Sequence, residues 1–208
     1  MAPPCFYFGA MSPYSWLAAE RIDALLPEAC WRGVFAGAVF KANGRSSWGL
    51  GEVRGERMAE CEARAAAYGL GRISWPVPWP TSDLLIARAM IFASRTQAST
   101  PASRATGRDD ALLRPLALAA MRLAFLEGGD LGEVETVLEA ADRAGFDRRE
   151  LSEALVDPEI KQALRECTDE AVALGVFGVP TVVVDGELYW GDDRLREAAA
   201  AHRARASA

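Results

Sequence analysis

Ser12 and Ser15 are the residues of this chain best placed for chemistry, in the stretch Gly9-Ala10-Met11-Ser12-Pro13-Tyr14-Ser15-Trp16. An apolar run, Cys5-Phe6-Tyr7-Phe8, leads into it, and helix-forming sequence follows through Ala29. Proline is comfortable in the first turn of a helix, so Ser12 falls at or beside an N-cap. One reading of Ser12 is a cap and nothing more, the commonest job of a serine before proline. The other is an anion site, where first-turn amides, the helix dipole and the Ser12 hydroxyl all favour one negative charge.

Other side chains narrow the chemistry. The cysteines, Cys5, Cys30, Cys61 and Cys167, never occur as C-x-x-C and lack metal-ligand spacing, so buried or incidental thiols are expected. The single histidine, His202, sits in a polar C-terminal stretch, a poor base for a Ser–His or Cys–His pair and no basis for a histidine-rich metal site. Asp192-Asp193 open the last helix, either as cap and dipole partner or as a receiver for a cation. Arg45 and Arg54 are cations able to grip a carboxylate bidentately, although Arg45 also fits an exposed loop. Trp48, Trp75, Trp79 and Trp190 suit either the wall of an aromatic pocket or a core.

These residues need a scaffold, and composition supplies one. The 208 residues are 50% hydrophobic and 25% charged, the profile of a globular protein with a full core. A net charge of −6 speaks against nucleic-acid binding but not against an anionic small molecule. No run approaches the roughly 18 apolar residues of a membrane span, and Met1-Ala2-Pro3-Pro4 does not open like a signal peptide. A cytoplasmic location is the expectation that follows.

The pattern predicts a strand at Cys5–Phe8, a helix to Ala29, a strand over Trp31–Gly37 and a loop from Ala38 to Val53. From Arg54 it turns helical, with Met58, Cys61, Ala65 and Tyr68 on one face and Gly69 as the stop. Trp75-Pro76-Val77-Pro78-Trp79-Pro80 reads as a rigid connector, then a helix over about Ser82–Gln97 and a flexible surface loop over Ala98–Gly107. Asp130 with Glu133, Asp147 with Glu150, and Asp157-Pro158-Glu159 mark three further helix starts. Val179–Val184 reads as a buried strand (Pro180 as a possible edge-strand start with a trans bond), Asp185-Gly186 as a hairpin turn and Glu187–Trp190 as the return. A final helix begins near Asp192.

Two blocks at opposite ends carry a family resemblance. Phe6-Tyr7-Phe8 with Ser12-Pro13-Tyr14-Ser15-Trp16-Leu17-Ala18, and Gly175-Val176-Phe177-Gly178-Val179-Pro180-Thr181 through Leu195, resemble the signatures of 2-hydroxychromene-2-carboxylate isomerases and kappa-class glutathione transferases. With Val39-Phe40-Lys41-Ala42 also similar, the resemblance covers nearly the whole chain. It implies an α/β, thioredoxin-like fold of the DsbA/kappa type with a helical insertion. The thioredoxin-like domain would comprise residues 1–53 and 175–208, and the insertion residues 54–174.

The resemblance also implies a cofactor, glutathione. Redox relatives carry a cysteine thiolate at this junction; serines at Ser12 and Ser15 leave instead a site for a thiolate brought in by the cofactor. A hydrogen bond to a charged group, worth roughly 1.5–3 kcal/mol, would lower the bound thiol's pKa by about one to two units. Val179 before a cis-Pro180 would pair with the cofactor backbone, Asp193 (with Asp192 beside it) would hold its γ-glutamyl ammonium, and Arg45 or Arg54 would hold carboxylates. Departures stand at Gly9 and Cys61, where relatives often have aspartate, at Arg45 for asparagine, at Arg54 for lysine, and at Ser82-Asp83 for Asn-Thr.

The activity so implied is isomerisation of a conjugated aromatic oxo-acid by reversible thiolate addition, without a metal. A kappa-like transferase and a non-catalytic thioredoxin-fold binding protein are the alternatives. The implied partners are a small-molecule substrate and at most a second copy as a homodimer, not nucleic acid or membrane.

Overall fold

A computed structural model describes residues 2–98 and 110–206. Strand β1 (Cys5–Phe8) leads through a short turn into helix α1 (Pro13–Leu25), and β2 (Cys30–Gly33) returns parallel to β1. Near the other end of the chain, β3 (Thr181–Val184) and β4 (Glu187–Trp190) form a hairpin. The sheet order is β2-β1-β3-β4, with β3 antiparallel to both neighbours. Asp185 (φ 47°) and Gly186 (φ 83°) both take the left-handed region, the tight turn expected of Asp-Gly.

Helices fill the chain between β2 and β3. They are α2 (Ala36–Ala42), α3 (Arg54–Ala67), α4 (Leu84–Ala98), α5 (Leu113–Glu127), α6 (Val134–Arg143), α7 (Arg148–Val156) and α8 (Pro158–Ala173); α9 (Leu195–Ala206) follows the hairpin. The fold is thus α/β and thioredoxin-like with a helical insertion, as the resemblance implies. One apolar core runs through it. Phe6, Phe8 and Trp31 cluster with ring centroids 5.1–5.4 Å apart on the sheet, and Trp16 of α1 stacks on Phe125 of α5. All five rings are fully buried.

Several boundaries differ from those predicted. Helix α1 stops at Leu25 rather than Ala29, since Pro27 disfavours helical backbone at Leu26. The second strand ends at Gly33, and the predicted loop opens as α2 instead. Ala36 and Val39 of α2 pack with Ala171, Val176 and Val179, and the Asn43 amide donates to Val39 O at 2.9 Å. Burial against a distant segment made that helix, and no local signal showed it.

Asp130 does not cap α6, whose N-cap is Glu133. Its Oδ1 accepts instead from Gly132 N–H at 2.7 Å and the Thr81 hydroxyl at 2.5 Å, tying α6 to the connector. Asp147 and Asp157 do cap α7 and α8, accepting from first-turn amides at 2.7–2.9 Å. The surface loop expected over Ala98–Gly107 lies, beyond Ala98, outside the described residues. Among the described residues no helix is long and apolar enough to cross a membrane.

Candidate active site

The β1–α1 turn places Ser12. Its N–H donates to Gly9 O at 3.1 Å, and its Oγ caps α1 by accepting from Ser15 N–H at 3.3 Å. An oxygen accepting that bond keeps its own proton for a partner in front of the helix. Ser12 is half-buried at the edge of a cavity of about 900 Å³. Ser15 is fully buried behind it, its hydroxyl without a hydrogen-bond partner. Of the two serines, Ser12 alone faces the cavity.

Opposite walls come from the far end of the chain. Val179 and Pro180, joined by a cis peptide bond, line the cavity beside Gly191, Asp192 and Asp193. Among the described residues no backbone hydrogen bond joins Val179 to another segment. The turn after β4 is fixed by Gly191, whose φ of 117° suits glycine and whose N–H donates to Pro180 O at 2.9 Å.

The paired aspartates have different jobs. Asp192 is fully buried and committed: it accepts from Arg64 at 2.7 Å and Tyr68 OH at 3.0 Å, with Arg21 at 3.6 Å. Burial pushes its carboxyl up, and Arg64 pulls it back. Asp193 has a half-exposed side chain and one long contact, to Arg64 at 3.6 Å. Of the pair, it is the carboxylate left with room for a further cation at the cavity edge.

The arginines are sorted too. Arg45 lines the cavity, donates to Phe177 O at 3.4 Å and lies 5.1 Å from the Trp190 ring. Arg54 does not line it; its guanidinium donates to Trp79 O at 3.1 Å and braces the connector. Helix α3 presents Arg57, Glu60 and Arg64 instead. Glu60 accepts from Arg57 at 2.8 Å, Arg64 at 2.6 Å and Tyr14 OH at 2.9 Å. Burial pushes Glu60 up, but these donors hold it below the usual carboxylate range. Sequence reading missed this trio, although positions 57, 60 and 64 share one face of a helix.

The tryptophans are sorted likewise. Trp48, Trp79 and Trp190 line the cavity, and Trp79 donates to Met11 O at 3.3 Å. Trp75 stands behind Trp79, against Phe125. Cys61 is buried under Tyr14, and burial raises its thiol to about 12, so it holds a proton rather than reacting. Asp83, buried at the start of α4, also lines the cavity and was not expected there as a functional group.

A strand–turn–helix with a capping serine, facing a cis-proline segment across a cavity, defines a thioredoxin-type ligand site. The DSBA-like thioredoxin domain model matches residues 81–202, and the chain belongs to that family. It is 27% identical to the 2-hydroxychromene-2-carboxylate isomerase of Sphingobium xenophagum over 197 residues, covering 91% of this chain and 92% of that protein. It is 36% identical to human glutathione S-transferase kappa 1 over 73 residues, about a third of each chain. The selenomethionine structure of 2-hydroxychromene-2-carboxylate isomerase matches with a TM-score of 0.79 at 21% identity, over 99% of this chain and 98% of that one. The cytosolic disulfide reductase DsbM of Pseudomonas aeruginosa, solved with GSH, matches with a TM-score of 0.61 at 14% identity over the whole of both chains. At those identities the two structures define the fold.

Proposed function

We propose that the protein is a glutathione-dependent isomerase of the 2-hydroxychromene-2-carboxylate isomerase type, acting on a conjugated aromatic oxo-acid. The observation that carries this reading is one cavity bounded by an uncommitted hydroxyl at a helix N-terminus, an unpaired backbone segment and a half-exposed carboxylate. Those three groups fit a thiolate, a peptide backbone and an ammonium respectively. When bound there, glutathione would supply a thiolate for reversible addition to the substrate's conjugated double bond, whose electrons would shift toward the conjugated carbonyl, allowing rotation before the thiolate leaves and the double bond re-forms.

The chain's own residues do the rest. Ser12 donates its O–H to the sulfur, and first-turn amides of α1 favour the negative charge. Val179 offers N–H and C=O as an added strand would find them. Asp193 takes the ammonium. Arg45 holds a carboxylate, with the half-exposed Arg57, which has one carboxylate partner in Glu60, as a second contact; Arg64 is already shared between Glu60 and Asp192. Trp48, Trp79 and Trp190 shield an aromatic ring from water.

Proton NMR of a hydroxychromene-carboxylate with sub-stoichiometric glutathione tests the reading. The open-chain isomer should accumulate over many turnovers, and Ser12→Ala should slow it roughly 10–100-fold. The 36% identity to the human kappa-class transferase favours a second reading, in which glutathione is consumed one-for-one. A stable adduct formed in proportion to added thiol would decide for that reading.

A further inference from the structure

Asp83 stands where the connector meets α4, 4% exposed at the floor of the cavity. A Cβ built on Gly9 would lie 2.8 Å from Asp83 Oδ2, 2.7 Å from Ala36 Cβ and 3.6 Å from Val179 Cγ2. The carboxyl oxygen therefore borders the space a side chain at position 9 would need, among apolar groups. Of the two carboxyl oxygens, Oδ2 has no hydrogen-bond partner. Asp83 thus stands beside the Gly9 backbone that anchors the Ser12 amide, and it lines the same cavity as Ser12 and Val179.

Among the described residues no cation pairs with this carboxyl. Beside it lie Gly9 of the β1–α1 turn and the Ala36 backbone of α2, neither of which titrates, and burial and backbone amides are what act on it. Across the cavity, Arg57 and Arg64 are engaged by Glu60 and Arg45 by the Phe177 carbonyl. In the turn before α9, Arg194 pairs with Glu197, and Asp192 and Asp193 share Arg64. Backbone amides of Asp83 and Ala36 favour the anion, but burial outweighs them and pushes the carboxyl up to about 7.

We propose that Asp83 is a proton-holding positioning residue: the cavity accepts an anionic sulfur group beside Ser12 only while the Asp83 carboxyl is neutral. This rests on the glutathione reading above. Two negative charges bordering one cavity, one of them buried, oppose each other, so ionised Asp83 weakens anion binding. By reciprocity, a bound anion makes Asp83 hold its proton more tightly.

The test is calorimetry on the full chain from about pH 5.5 to 8.5 with two probes. Glutathione sulfonate carries a fixed charge at the sulfur position, and S-methylglutathione carries none there. Groups common to both probes cancel in the ratio of their affinities. For wild type the sulfonate-to-methyl ratio should fall with rising pH, approaching about tenfold per unit above the Asp83 midpoint. Asp83→Asn should give a flat ratio. Should that variant not fold, the carbon-13 carboxyl resonance of Asp83 in the ligand-free wild type decides. It should titrate near neutrality, and at higher pH with the sulfonate bound. A flat wild-type ratio with both probes bound, or titration below about pH 5, would overturn the inference alone. If neither probe binds at any pH, the cofactor reading falls and takes the inference with it.

Discussion

Ser12 has one role in the fold and one in the proposed chemistry, and a single substitution can separate them. As an N-cap it accepts from Ser15 N–H, and aspartate caps a helix about as well as serine does. As the donor facing a thiolate it needs a proton, which aspartate lacks at neutral pH. Ser12→Asp should therefore keep the melting temperature of the free protein while abolishing its rise on adding glutathione. Retention of that rise would show that the hydroxyl contributes nothing to the ligand. Asp83 makes a second residue-scale prediction, independent of any ligand. Its folded state favours the neutral acid, so the unfolded chain ionises first as pH rises. Relative to Asp83→Asn, wild type should lose a few kcal/mol between about pH 4 and the folded midpoint near 7, and nothing further above it. Urea midpoints across that range measure the loss. A parallel course for the two proteins would contradict a buried, proton-holding carboxyl.

At the scale of elements, the paired aspartates show how neighbouring identical residues diverge by packing. Asp192 joins α1 through Arg21 to α3 through Arg64 and Tyr68, and the Arg21 guanidinium also lies 3.6 Å over the Tyr68 ring. Removing one partner of a buried pair is costly, though Arg64 is partly exposed and keeps Glu60. Asp192→Ala should cost about 2–3 kcal/mol in chemical denaturation. Asp193→Ala should change stability by less than about 0.5 kcal/mol, yet weaken glutathione by about 1–3 kcal/mol. The reverse pattern would exchange the two roles. Proximity to the last helix start was readable from sequence, but the split between the pair was not. It depends on α1 and α3 arriving from over a hundred residues away.

At the scale of the molecule, the fold surrounds a redox-type junction from which both cysteines are absent. None of the four thiols lines the cavity, and burial raises Cys5, Cys61 and Cys167 above the ordinary thiol range. The protein should not reduce insulin disulfides, and a variant with all four cysteines replaced should keep the isomerase turnover proposed above. Disulfide exchange that disappeared in that variant would move the protein to the oxidoreductase side of its family. An acidic chain with a cavity edged by Arg45, Arg57, Arg64 and Arg194 also fits an anionic small molecule better than a polyanion.

What the sequence determined by itself was local. Proline after Ser12 set an N-cap, Asp-Gly set a hairpin, Asp157-Pro158 set a helix start, and short runs of strand-forming residues marked all four strands within a few residues. Each depends on backbone preferences spanning three or four positions. Tertiary structure decided the rest. It made α2 a helix by packing it on α8, and turned Asp130 from a cap into a tie. It withdrew Arg54 from the cavity and supplied Arg57 and Arg64 in its place. It also set Asp83 in the space beside Gly9. Each of those outcomes rests on which distant surface a side chain meets. Burial and pairing energies of that kind exceed local propensities and have no signature in the residues next door.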